Sequence, residues 1–235
     1  MKKKIGISFS RTNFQNYWDW FTEADLGQDL ELVLLSFETP DHKAVKQCDA
    51  YVLTGGVDID PVYYQGAAVY PNQPDTYQPD RDQFEAAIYR HAKEKQAPVL
   101  AICRGMQLVH TLEGGKLIQD LGEQNRRHKK DTDEDKQHTV QLQPGSRLAA
   151  WAAESVGQVN SAHHQALDKE TLSGNWRISA LDDTGLIEAI EWKDEKDQPF
   201  LIGVQWHPER MLNKEKNPLS QAIKEHFIQT IREQS

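Results

Sequence analysis

Two periodicities alternate along the first hundred residues. Residues 4–9 (KIGISF) form an apolar-rich run of strand length, and Phe14, Tyr17, Trp18 and Phe21 then recur at i, i+3, i+4 and i+7, the stripe of an amphipathic helix. Residues 30–37 predict a second strand, 40–47 a short helix, and 50–53 a third strand ending in Thr54-Gly55-Gly56. After a polar, proline-rich stretch, residues 82–95 place Phe84, Ala87, Ile88 and His91 on one helical face. Ala97-Pro98 stops that helix, and residues 98–102 (PVLAI) form a strand that runs into Cys103. The second half changes character. Short strands are expected over 139–142, 158–159, 176–181, 186–192 and 200–206, several alternating apolar and polar, with a hairpin turn over 194–198 between the last two. Residues 217–232 close the chain as a helix with Leu219, Ile223, Phe227 and Ile231 spaced by four. Strand–helix alternation at the start predicts a mostly parallel sheet with helices on both faces, and the later strands an antiparallel extension. In such sheets chemistry lies at the carboxyl ends of the strands, where Gly55-Gly56, Cys103 and His207 fall.

Composition narrows the function classes. No repeat, low-complexity tract or linker divides the 235 residues, so one domain over 1–235 is expected. A net charge of −9 argues against a general affinity for nucleic acid or anionic membranes. The basic cluster at 126–130 runs straight into Asp131, Asp133, Glu134 and Asp135 and reads as a solvated loop. The basic N-terminus is followed by too short an apolar stretch for a signal peptide, and no segment approaches the ~18 apolar residues of a membrane span. With only Cys48 and Cys103, a disulfide framework is not expected and a reducing cytoplasm is the default compartment.

Three stretches carry chemistry. Ala101-Ile102-Cys103-Arg104-Gly105 joins a strand to a helix with small residues two positions either side of the cysteine, the nucleophile-elbow pattern with sulfur in place of a hydroxyl. A helix N-terminus is also a place that stabilises negative charge. The bland alternative is an inert core cysteine, which most unpaired cysteines are. In Gly203-Val204-Gln205-Trp206-His207-Pro208-Glu209 a strand ends in His207, Pro208 holds His207 extended, and Glu209 can orient the ring toward the sulfur. Alone this would be a polar loop; beside a cysteine elbow on the same sheet edge it reads as base and orienter. Thr54-Gly55-Gly56-Val57-Asp58-Ile59-Asp60-Pro61 brings backbone close to a ligand, and the N–H groups of Gly56 and Arg104 are assigned to an oxyanion hole. Asp58 and Asp60 offer too few oxygens for calcium and can equally cap the next segment.

These motifs, AICRGMQ (101–107), GVQWHPE (203–209) and LTGGVDIDP (53–61), resemble the class I glutamine amidotransferase superfamily, and within it the branch of γ-glutamyl-γ-aminobutyrate hydrolases, or peptidase-like amidotransferases. RDQFE (81–85), GGKLIQDL (114–121) and VNSAHHQA (159–166) match in a compatible order. The resemblance implies a flavodoxin-like three-layer α/β/α sandwich and a Cys103–His207–Glu209 triad. It also implies that Gln107 holds the glutamyl group, and that Gly55, His163, His164 and Gln165 line the same pocket. Zinc on the adjacent His163-His164 pair lacks the usual ligand spacing, so no metal or organic cofactor is expected. Two positions depart from the pattern: Ala101 stands where such elbows carry glycine, and His110 where the family carries asparagine.

The implied activity is hydrolysis of the γ-glutamyl amide of a small substrate through a thioester. One alternative is a glutaminase subunit delivering ammonia to a separate synthase, the one case that requires a protein partner; another is an inactive binding protein on the same fold. A homo-oligomer is compatible with either enzyme. Substrates rich in carboxylates are disfavoured by the net charge unless positive charge gathers at Arg104 or over 126–130.

Overall fold

The computed structural model describes residues 2–130, 132–194 and 198–234. Its strands are β1 (Lys3–Ser8), β2 (Leu30–Leu35), β3 (Ala50–Leu53), β4 (Val99–Ile102), β5 (Leu117–Ile118), β6 (Lys136–Leu142), β7 (Val156–Ser161), β8 (Ala166–Leu167), β9 (Trp176–Asp182), β10 (Ile187–Trp192) and β11 (Leu201–Val204). The helices are α1 (Phe14–Trp20), α2 (Glu23–Leu26), α3 (His42–Gln47), α4 (Pro79–Lys95), α5 (Arg104–Leu112), α6 (Asn125–His128), α7 (Arg147–Ala152) and α8 (Pro218–Glu233). Nine strands form one sheet in the order β2-β1-β3-β4-β11-β10-β9-β6-β7. From β2 to β11 neighbours run parallel, and from β10 to β7 they run antiparallel. The expected parallel sheet with an antiparallel extension is therefore what forms, and β5 and β8 pair separately.

The central strands read as continuous apolar runs because both their faces are covered. Val52, Leu100, Ile102, Ile202 and Val204 pack with Tyr17 and Trp20 of α1 and with Ile223 and Phe227 of α8. Tyr51, Leu53, Val99, Ala101 and Leu201 face the opposite way, toward Val45 of α3, Phe84 and Ile88 of α4 and Met106 of α5. The helix ends follow from local chemistry. Asn217 accepts from Leu219 N at 2.9 Å ahead of Pro218 in the first turn of α8. Gln96 closes α4 in the left-handed region, two residues before Pro98.

Two expectations need adjustment. The predicted turn over 194–198 includes residues 195–197, outside the described residues; the flanking β10 and β11 do pair antiparallel, Ala189 opposite Val204. The alternating pattern of the later strands implied a solvated face, yet β10 is buried throughout, Glu188 and Glu191 included. Glu191 is tolerated there because Arg147 N, at the start of α7, donates to it at 3.0 Å and the Ser179 hydroxyl at 2.8 Å. For Glu191, partners from other elements take the place of solvent.

Candidate functional site

The strand register decides what meets at the sheet's edge. Leu53, Ala101 and Gly203 lie side by side across β3, β4 and β11, so Thr54-Gly55-Gly56, Cys103 and Gln205-Trp206-His207 leave the sheet next to one another. Cys103 adopts φ 52°, ψ −108°, outside the regions that L-residues favour, while its N–H is held by Val204 O at 2.7 Å. The small residue at Gly105 is required by packing: a Cβ there would lie 2.3 Å from Leu53 O. Ala101 fits where glycine was the expectation, fully buried on β4. His110 does not reach the site edge; buried in α5, it bonds Lys116 O at 3.0 Å and packs on Gly115, and burial lowers it to about 4 despite that bond.

His207 and Glu209 stand as the sequence pattern suggests. His207 Nδ1 lies 2.9 Å from Glu209 Oε1, which leaves Nε2 as the ring nitrogen free to act on Cys103. Burial disfavours the imidazolium, but Glu209 and then Cys103 outweigh burial and raise His207 to about 9. Asn160 Oδ1 fixes the His207 backbone by accepting its N–H at 3.0 Å. Gln205, inside the same motif but not singled out, donates its amide to Cys103 Sγ at 3.4 Å. Tyr17 was legible only as a member of an apolar stripe. Its hydroxyl accepts from Gly55 N at 2.9 Å and sits 3.2 Å from His207 Nδ1. Burial, followed by the nearby Glu209 charge, raises Tyr17 well above the ordinary phenol range, so it stays neutral.

The glycine loop divides its work differently from expectation. Gly55 is not a ligand-facing backbone group, because its N–H goes to Tyr17 and its carbonyl accepts from Arg81 Nη2 at 2.8 Å. What it supplies is room: a Cβ would fall 2.7 Å from His207 Cε1 and 3.5 Å from Cys103 Cβ. Gly56 has φ 148°, and its N–H has no partner among the described residues. Arg104 opens α5, so its N–H lacks an intrahelical acceptor.

Behind the loop, RDQFE folds into a buried ionic lattice. Arg104 pairs with Asp82 and Glu85 and donates from Nε to Val57 O at 2.7 Å. Arg81 donates to Glu85 Oε1 at 2.9 Å and to Thr54 Oγ1 at 3.0 Å. Two arginines thus balance two carboxylates, and the lattice ties α4 to the first turn of α5 and to the glycine loop. Removing one member of such a set costs about 3–5 kcal/mol because an uncompensated buried charge remains. Arg81→Met is accordingly expected to lower the urea unfolding midpoint by an amount equivalent to about 3–5 kcal/mol. The exposed Arg90→Met should change stability by less than about 0.5 kcal/mol. Equal midpoints for the two variants would show that the lattice is not a stabilising unit.

Of the pocket residues that the resemblance implies, only part face the cleft side. Gln107 spends its amide protons on Gln165 O at 3.2 Å and Gln205 Oε1 at 3.1 Å, so it holds two neighbours in place. Gln165 is buried, with Nε2 on Gln119 O at 3.3 Å and its Oε1 lacking a partner among the described residues. His164, 13 % exposed, sits between Asp58 Oδ2 at 3.0 Å and Asp120 Oδ2 at 3.3 Å; burial opposes its charge, but the two carboxylates prevail and raise it. Asp60 caps the turn at Pro61–Tyr63, accepting from Val62 N at 3.0 Å. His163 corrects the expectation. Its Nδ1 is 2.9 Å from Gln165 O and its Nε2 points at buried Glu188, 3.5 Å away, so the ring is turned into the protein. The solvated-loop reading of 126–130 is corrected at the same place, since His128 ends α6 fully buried beside His163, with ring centroids 4.9 Å apart.

Comparison with known proteins identifies the family and the fold. The chain matches the Peptidase C26 family over residues 17–209. It is 34% identical over 192 residues to Protein NtpR of Enterococcus hirae, covering 79% of this chain and 76% of that one. It is 36% identical over 166 residues to the gamma-glutamyl-gamma-aminobutyrate hydrolase PuuD of Escherichia coli strain K12, covering 67% of this chain and 62% of that one. Among solved structures, the glutaminase domain of Trypanosoma brucei CTPS with bound acivicin superposes with a TM-score of 0.68 at 14% identity, over 100% of this chain and 95% of that one. That likeness is one of fold, the class I glutamine amidotransferase fold.

Proposed function

The chain belongs to the Peptidase C26 family, and on that premise we propose that it is a cysteine-dependent hydrolase of small γ-glutamyl amides, folded as one domain and working in a reducing cytoplasm. The observation that carries the reading is Cys103 on a strained strand-to-helix turn, beside a histidine whose Nδ1 is held by Glu209 at 2.9 Å. Cys103 Sγ attacks the γ-carbonyl carbon, and the oxyanion forms against the N–H groups of Gly56 and Arg104. His207 Nε2 gives its proton to the departing amine. Water then adds to the thioester carbonyl, His207 takes the water's proton, and the C–S bond breaks to release glutamate. Glu209 holds the ring through Nδ1 and stabilises the imidazolium without taking its proton. Tyr17 and Gly55 set the distance between ring and sulfur.

The amine leaves toward the outer loops. Asp58 lies two residues beyond Gly56, bonds the Tyr70 hydroxyl at 2.9 Å and anchors His164. Of the two places where positive charge could gather, one is neutralised and the other only in part. Arg104 is spent on Asp82 and Glu85, and in the 126–130 segment Arg127 pairs with Asp183 at 2.5 Å and Lys130 with Asp135 at 3.8 Å. Over the molecule as a whole, a poly-γ-glutamate tail would meet the field of a chain with net charge −9. A short ω-amino acid amide such as γ-glutamyl-γ-aminobutyrate carries one added carboxylate, and an uncharged amine none.

The test is kcat/KM, read as glutamate released, for γ-glutamyl-γ-aminobutyrate, glutamine and a polyglutamylated substrate at low and moderate salt. The small ω-amino acid amide should lead by at least about tenfold. A polyglutamate preference that weakens as salt rises would overturn the assignment. Glutamine turnover appearing only when a synthase is added would make the chain an ammonia-delivering subunit instead. Among the described residues no helix is long and apolar enough to cross a membrane.

A further inference from the structure

Four polar side chains that the proposed hydrolysis does not use converge in the interior. They are His128 at the end of α6, His138 on β6, His163 after β7 and Glu188 on β10, and all are at most 5 % exposed. Ligand atoms of His128, His138 and Glu188 lie within 4.8 Å of one another. Glu188 Oε1 is the point of convergence, 3.5 Å from His138 Nε2, 3.5 Å from His163 Nε2 and 3.8 Å from His128 Nδ1. These separations are informative. Hydrogen bonds to a carboxylate run at about 2.7–2.9 Å, whereas ligands bound about 2.0–2.2 Å from a tetrahedral zinc ion stand about 3.3–3.6 Å from one another. The contacts of His138 and His163 with Glu188 have the second spacing.

The hydrogen-bond inventory agrees. Among the described residues, both Glu188 oxygens, both His138 nitrogens and His163 Nε2 are buried without a partner, an expensive state for a carboxylate unless a cation compensates. His163 Nδ1 faces the Gln165 carbonyl at 2.9 Å and must carry the proton there, so the lone pair of a neutral ring is on Nε2, aimed at Glu188. A carbonyl that fixes the far N–H is the arrangement that orients a metal-binding imidazole. His128 is the outer member of the set: its Nε2 lies 3.2 Å from Asp182 Oδ2, and its Nδ1 lies 3.8 Å from Glu188 Oε1 and 3.2 Å from Ser161 Oγ, whose hydroxyl reaches His128 O at 3.1 Å. A divalent ion would bring the buried charge to zero against Glu188 and Asp182.

We propose that His128, His138, His163 and Glu188 form a structural site for a divalent transition-metal ion of the zinc class. Its four ligands come from α6, β6, β10 and the segment after β7, so it closes a tetrahedral shell and clamps that segment to the sheet. The same segment carries His164 and Gln165. Glu188 O accepts Gln205 N at 2.8 Å, and Gln205 reaches Cys103 Sγ, so the ion sits one residue behind the site wall without touching it. The adjacent pair His163-His164 is not the ligand set; one of the two joins partners 25, 35 and 25 positions away, at 138, 128 and 188.

The test uses untagged protein made in zinc-supplemented medium. Elemental analysis should find about one zinc per chain. The metal-stripped protein titrated with Co2+ should develop the visible d–d bands of a four-coordinate site and regain a Tm lowered by roughly 5–10 °C on stripping. Cys103→Ala should bind the same amount, which separates this site from metal on the thiol. Glu188→Gln, close in shape, should bind at least tenfold more weakly. A folded wild type that takes up neither zinc nor Co2+ under these conditions would overturn the proposal, as would unchanged stoichiometry in Glu188→Gln. The cluster would then be held by protons shared between imidazoles and carboxylate. Should the variant not fold, the wild-type Co2+ spectrum alone decides. None of these readouts depends on the hydrolase reading.

Discussion

Cys103→Ala is expected to reduce γ-glutamyl amide hydrolysis by at least about 10³-fold while leaving a folded protein. The sulfur is the atom that forms the thioester, and neither Gln205, which bonds it, nor His207, which lies beside it, can replace it as a nucleophile held under the glycine loop. The contrast is Cys48. Its thiol is buried, donates to Ala44 O at 3.2 Å, and is pushed up to about 12 by burial and then by Asp49. Cys48→Ala should keep near-normal turnover and lose only the stability that a small buried side chain contributes. Mass spectrometry after an electrophilic glutamine analogue should find the label on Cys103 and not on Cys48. Retention of a tenth of the wild-type rate by Cys103→Ala would mean that the bond is broken by some other group.

The difference between those two cysteines was legible in the sequence, and the reason is local. Position 103 is defined by its immediate neighbours: an apolar run of strand length, small residues at 101 and 105, then a helical pattern. The strands of the parallel half were legible for the same reason, since burial on both faces forces continuous apolar runs. Where side chains go across the sheet was not. Tyr17 looks like core because it shares a stripe with Phe14 and Phe21, and only the distance from α1 to Gly55 tells that its hydroxyl reaches the loop. Glu188 in an alternating strand suggests solvent, but its partners come from positions 128, 138 and 163. Gln107, His163 and Gln165 were named from motif resemblance, which places residues near a site without saying which way they face. Two of them turned out to brace neighbours and one to face the interior.

The remaining large effect concerns His207 and Glu209, and pH separates their roles. His207→Ala should cost about as much as Cys103→Ala, because both proton transfers pass through Nε2. Glu209→Gln keeps the shape beside Nδ1 but removes the charge, and should cost roughly 10²-fold. The double variant should be hardly worse than His207→Ala alone, since the carboxylate acts only through the ring; additive losses would show that Glu209 contributes separately. The charge argument sets the sign of the pH effect. His207 is raised to about 9, against burial, chiefly by Glu209, so the imidazolium needed to protonate the leaving amine is present below that pH and is lost as pH rises through it. The alkaline limb of kcat/KM should therefore fall near pH 9 in the wild type. In Glu209→Gln the opposing charge is gone, burial counts for more, and the limb should move to lower pH by at least about one unit. An alkaline limb at the same pH in both proteins would show that Glu209 does not hold the proton on His207, and the orienting role assigned to it would fall.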